Sequence, residues 1–135
     1  MENVNRTDKK IDRRKQVLLM YHAGLILEGG GMRGVYTAGV LDAFLEKEIQ
    51  FSDIYGVSAG SCHACSYMSG QPGRAYRVAV DYLDDPNYCG TRTFLRTGNI
   101  FGVDMLYSQI PNVLDPFDYE AFKKYTGTLN AVITD

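Results

Sequence analysis

A chain of 135 residues, 45% hydrophobic and 22% charged, has the composition of one globular domain, too apolar to remain disordered. Its formal net charge of −2 gives no reason to expect nucleic acid as a partner. No apolar run reaches the ~18 residues that would cross a bilayer, so any membrane contact is expected to be peripheral. The charge is unevenly placed: Arg6, Lys9, Lys10, Arg13, Arg14 and Lys15 fall in the first twenty positions, while residues 21–135 carry eight basic and thirteen acidic side chains, a net of −5. Residues 1–20 are therefore expected as a flexible basic tail and 21–135 as the folded portion. The basic stretch is not read as a secretory signal, because Tyr21, His22 and Gly24 break the apolar run and no small-x-small cleavage site follows. Three cysteines, an odd number without an extracellular signature, fit a reducing cytoplasmic compartment.

In chain order, Gly24 to Glu28 reads as a short buried strand stopped by glycines. The loop Gly29 to Gly34 leads into a helix over about 35–47, with Val40, Leu41, Phe44 and Leu45 on its apolar face. Ile49 to Phe51 is expected to turn the chain and Ser52 to Val57 to form a second strand, which implies a right-handed crossover and a parallel pair. Ala59 to Ser69 reads as a helix closed by Gly70. Pro72 suits the first turn of another, running to about Leu83, with Ala75, Tyr76, Ala79, Tyr82 and Leu83 inward and Arg74, Arg77 and Asp81 outside. Residues 88–112 show no dominant period and read as a long loop of the kind that forms substrate lids, with one helical turn near 104–110. Asp115 is expected to cap a short helix from Pro116, with Phe117 and Phe122 inward. Thr128 to Thr134 alternates as a third strand, Leu129, Ala131 and Ile133 on one side. Parallel strands need cover on both faces and neighbours on both edges. The chain is therefore expected to be the first part of a larger α/β domain.

Two glycine motifs carry the chemistry. Gly56-Val57-Ser58-Ala59-Gly60 follows the second strand and opens a helix, matching the G-x-S-x-G nucleophile elbow. There a sharp turn strains the serine backbone, and glycines two residues before and after remove the side chains that would collide. Ser58 is the candidate nucleophile, Gly56 and Gly60 the elbow glycines. Glu28-Gly29-Gly30-Gly31-Met32-Arg33-Gly34 follows the first strand. Backbone N–H groups along Gly29, Gly30, Gly31, Met32, Arg33 and Gly34 can approach a reacting carbonyl, and with the amide of Ala59 they make a candidate oxyanion hole. Arg33 either adds positive charge there or forms a structural salt bridge. Gly29-x-Gly31-x-x-Gly34 also satisfies a dinucleotide fingerprint, but that fold needs an acidic residue at the end of the second strand. Asp53 sits at the start of that strand instead. A Ser-His-Asp triad cannot be assembled in α/β-hydrolase order: His22 precedes both motifs, and His63 lies five residues along the elbow helix, about 140° around it.

These paired motifs, at this separation and each after a strand, resemble the patatin-like phospholipases, particularly the bacterial ones, from about Gly24 to Asp135. The resemblance implies a three-layer α/β/α sandwich with a mostly parallel sheet and a serine–aspartate dyad without histidine. On it, Ser58 is the nucleophile, the glycine loop is the oxyanion hole, and the substrates are acyl esters of phospholipids or related lipids, with no metal or organic cofactor. The family's aspartate lies in a D-G-G or D-G-A motif well beyond the elbow. This chain has no Asp-Gly dipeptide, and Asp135 resembles the end of an earlier family strand, so it is not taken as the base.

Two further stretches bear on function. Cys62-His63-Ala64-Cys65 has the look of a zinc or redox fragment, but only Cys89 or His22 could add a ligand, and small residues there suit close packing of helix on sheet. Arg92, Phe94, Leu95, Arg96, Ile100 and Phe101 could face lipid as a lid; the alternative is that they pack the loop.

Overall fold

The computed structural model describes residues 19–134. The expected basic tail lies outside them except for Leu19 and Met20, which open the first strand. In order, the elements are β1 (Leu19–Leu27), a 3-10 turn (Gly31–Gly34), α1 (Val35–Glu46), β2 (Ile49–Val57), α2 (Ala59–Met68), α3 (Arg74–Val80), α4 (Thr91–Thr97), a π-helix (Met105–Leu114), α5 (Tyr119–Lys124) and β3 (Thr128–Val132). The fold is α/β. The three strands are parallel in the order β1-β2-β3, with Leu25 and Leu129 flanking Ile54 across the ladder, and Leu27 and Ala131 flanking Gly56.

Both crossovers step the same way across the sheet, and two right-handed crossovers of that kind lay their helices on one face. That face holds the core: Leu27 and Ile54 of the sheet pack on Leu41 of α1 and on Ala64, Tyr67 and Met68 of α2. On the opposite face Ile26 is 75% exposed, and Tyr55, Val57 and Val132 are also open to solvent. Among the described residues, then, two of the three expected layers are present.

Several local expectations are corrected by contacts distant in sequence. Residues 49–51 are strand rather than turn, because Ile49 and Phe51 pair with Leu19 and Tyr21. The Tyr125 hydroxyl also accepts from Phe51 N and donates to Phe51 O, each at 3.0 Å. Glu48, at φ 56°, makes the turn instead, and Asp53 falls in the middle of β2 rather than at its start. α3 ends at Val80; Ala75 and Ala79 are buried and Arg77 and Asp81 exposed as expected, but Arg74 is only 6% exposed while Tyr76 and Leu83 face solvent. Arg74 Nη2 donates to Asp115 O (2.9 Å) and Nη1 to Ser66 Oγ (3.3 Å), and its guanidinium lies 5.1 Å from the centre of the Phe117 ring. Asp115 is thus an ion-pair partner, chelated by Arg77 Nε and Nη2 at 2.7 and 3.2 Å. The cap of α5 is Asp118, whose Oδ1 accepts from Ala121 N at 2.8 Å.

The stretch 88–112 contains more structure than one turn. α4 was not expected, and in the π-helix the buried Met105 and Ile110 lie five residues apart, a spacing that a search for the 3.6-residue period misses. β3 stops at Val132, leaving Ile133 exposed.

Candidate functional site

β2 ends at Val57, and Ser58 stands at φ 50° and ψ −121° between that strand and α2. This region is costly for a residue with a side chain. Glycine neighbours make the turn possible. A methyl carbon on Gly56 would fall 2.6 Å from Ser61 Cα, and one on Gly60 would fall 2.4 Å from the Leu27 carbonyl oxygen. Gly60 thereby lets α2 start directly against the end of β1.

Ser58 occupies the N-cap position of α2, yet its side chain makes no capping hydrogen bond. Its carbonyl accepts from Ser61 N (3.0 Å) and Cys62 N (3.4 Å), so the preceding amides of Ala59 and Gly60 have no intrahelical partner. The exposed hydroxyl is therefore left at the positive end of a helix dipole, where developing negative charge is favoured.

The glycine loop lies alongside. A methyl carbon on Gly29 would touch Ser58 Cβ and the Val57 carbonyl oxygen, both at 3.3 Å. Gly30 and Gly31 take φ 145° and 54°, conformations that favour glycine, and Gly31 has open space beside it. Gly31, Met32, Ser58 and Ala59 line one cavity of about 610 Å³. Arg33 is exposed, and its guanidinium folds back over Gly30, within 3.3 Å of where a Cβ would be; among the described residues it makes no salt bridge.

The rest of the cavity was only partly legible. From α2 and its cap, Ser58, Cys62, Cys65 and Ser66 face it at positions i, i+4, i+7 and i+8, the stripe of one helix face. Cys62 and Cys65 thus point to the cavity, while Ala64, Tyr67 and Met68 pack the sheet, which corrects the reading of both cysteines as sheet-packing residues. Burial pushes both thiols above their ordinary value, with Arg74 partly opposing, so they remain neutral and weakly nucleophilic. Among the described residues no group of three or more His, Cys, Asp or Glu side chains is placed to hold a metal ion.

His63, 5% exposed, also lines the cavity, but its Nε2 faces Gly34, where a methyl carbon would come within 2.5 Å, and has no hydrogen-bond partner. Burial lowers its pKa, so the ring is a neutral wedge between α2 and the 3-10 turn. Farther in, Tyr88, whose hydroxyl donates to Val78 O at 2.6 Å and is pushed up to about 12 by burial, joins Val78, Leu106 and Ile110 in an apolar end.

A strained serine on a strand-to-helix turn, beside a glycine loop and over an apolar cavity, is the layout of the α/β folds built around a nucleophile elbow. Residues 25–135 match the Patatin family (patatin-like phospholipase), and the chain belongs to that family. It is 38% identical over 96 residues to the protein YjjU of Escherichia coli (strain K12), which covers 67% of this chain and 27% of that protein. Over 62 residues it is 34% identical to M110.7 of Caenorhabditis elegans, a protein named for a patatin-like phospholipase domain, covering 46% of this chain and 6% of the relative. The chain therefore spans about a quarter or less of the length of these relatives. No solved structure matches it. Among the described residues no helix is long and apolar enough to cross a membrane.

Proposed function

We propose that this chain carries the nucleophile and oxyanion hole of a serine acyl hydrolase acting on lipid acyl esters. The observation that carries the reading is the uncommitted Ser58 hydroxyl, held at φ 50° against the glycine loop at an apolar cavity. Ser58 Oγ attacks the ester carbonyl carbon, and the carbonyl oxygen becomes an oxyanion within reach of the N–H groups of Gly30, Gly31 and Ala59. One such donor is worth about 3 kcal/mol of transition-state stabilisation. The acyl chain then lies along the apolar wall. The serine proton passes to an aspartate and on to the departing alcohol, and water releases the acid from the acyl-enzyme. Family resemblance assigns that aspartate to an Asp-Gly motif, which these 135 residues do not contain. The activity is therefore assigned to a longer protein that includes this segment, and the isolated chain is expected to be inactive.

In that longer protein Ser58→Ala is expected to lower phospholipid hydrolysis by about a thousandfold or more while near-UV circular dichroism is unchanged. Turnover persisting in the alanine variant would remove Ser58 from the mechanism.

A further inference from the structure

Residues 88–102 form a loop pinned at its stem. Gly90 N donates to Ile100 O (2.9 Å), Gly102 N donates to Tyr88 O (2.8 Å), and Cys89 and Phe101 form an antiparallel bridge. A methyl carbon on Gly102 would sit 1.8 Å from Asn87 O, so the stem closes only with glycine there. α4, at the tip, is anchored from beneath: Thr93 is fully buried and its Oγ1 donates to Pro86 O at 2.6 Å. What this ordered platform holds up to solvent is apolar and basic. Leu95 is 84% exposed, Phe94 and Ile100 are exposed beside it, and Arg92 and Arg96 stand one helical turn apart on the face of Leu95. Held out in water, these side chains forgo the burial that would stabilise the fold.

Charge separates this surface from the other exposed apolar one. The sheet face of Ile26, Tyr55, Val57 and Val132 has no arginine or lysine beside it on the strands, as suits a surface made for protein. Of the acidic residues near α4 in sequence, Asp84 and Asp85 precede the Pro86 anchor, where Asp85 Oδ1 accepts from Asn87 N at 2.7 Å, and Asp104 is held by Gln109 Nε2 at 2.6 Å. α4 itself carries Arg92 and Arg96 and no acidic side chain, a basic island within residues 21–135, which are acidic overall. Ile100 lines both the main cavity and a small apolar hollow shared with Gly90, Thr91 and Phe94. The island therefore borders the cavity that holds Ser58.

We propose that α4 and its flanks dock on an anionic lipid surface, Leu95, Phe94 and Ile100 entering the acyl boundary and Arg92 and Arg96 meeting the phosphates. This deepens the acyl-hydrolase reading, on which it rests, by naming the surface from which substrate reaches the cavity. Aromatic and aliphatic residues flanked by arginines are the composition that binds such interfaces.

The test is sedimentation of the 135-residue chain with vesicles of ether-linked phosphatidylglycerol or ether-linked phosphatidylcholine. These lipids have no ester, so docking is read apart from hydrolysis, and the Ser58→Ala assay can fail or succeed independently. The chain is expected to partition at least tenfold better onto the anionic vesicles. Arg92→Gln and Arg96→Gln should each weaken that partition about fivefold, Leu95→Ser should weaken it by a similar factor, and added salt should weaken it further. Equal partition onto both lipids, or variants that sediment like the wild type, would overturn the proposal. So would a dimer that Leu95→Ser converts to monomer, which would assign the surface to a second copy of the chain.

Discussion

Ser58 and His63 show how much one residue's setting decides. At φ 50° Ser58 stores roughly 1–3 kcal/mol of backbone strain, which the fold tolerates because Gly56 and Gly60 let three backbone segments converge there. Nothing about a serine alone announces this; the two flanking glycines do. His63 carries no such marker. Its burial follows from the packing of α2 on Gly34, and its consequence is a pH dependence. The folded pKa lies below the unfolded value of about 6.5, so the unfolded chain takes up a proton that the native ring refuses. The stability of the neutral wedge is complete above about pH 6.5 and is lost as pH falls through the window beneath it, at up to ~1.4 kcal/mol per pH unit. Thermal unfolding should show Tm falling between pH 7 and 5.5, and His63→Asn should flatten that fall. An unaltered slope would place the acid sensitivity elsewhere.

At the scale of elements, glycine has opposite meanings in two neighbouring helices. Gly39, in α1, is exposed and has no atom within 4 Å of an added methyl. Gly39→Ala should therefore stabilise the chain by about 0.5–1 kcal/mol through helix propensity. Gly60, in α2, offers the same local gain, but its added methyl meets the carbonyl oxygens of Leu27 and Glu28 at 2.4 and 2.7 Å. Both obstacles are backbone, so Gly60→Ala should cost about 3 kcal/mol or more. Urea unfolding of the two variants should move their midpoints in opposite directions; a stabilised Gly60→Ala would mean that α2 does not pack against the end of β1 as described. The boundaries of α1 and α2 were legible because apolar spacing and glycine stops are local. The π-helix and the first residues of β2 were not, since one follows an unusual period and the other depends on partners some thirty to seventy residues away.

Across the whole molecule, two arginines and one aspartate join distant segments beside the cavity. Arg74 and Arg77 of α3 meet Asp115, which lies just after the π-helix, and Gln71 bridges to Pro116 O and Asp118 N, each at 2.9 Å. Burial lowers the pKa of Arg74 while Asp115 raises it, so removal of Asp115 would leave a buried cation without its partner. Asp115→Ala should destabilise the chain by about 3–5 kcal/mol, and Arg74→Met in the same background should recover much of the loss. Calorimetry of the single and double variants would check it, and an additive double variant would show the two residues to be uncoupled.

The amino-acid order by itself determined the parallel strand–helix–strand start, the serine between its glycines and the triple-glycine loop, because a tight turn or a close backbone approach restricts residue type at fixed local spacing. It also carried the family likeness and the missing Asp-Gly pair. Tertiary structure alone decided that Arg74 turns inward, that Cys62, Cys65 and His63 wall the cavity, and that α4 stands out in solvent. Those outcomes depend on which distant groups share a space, and burial, ion pairing and desolvation act on that proximity rather than on sequence spacing.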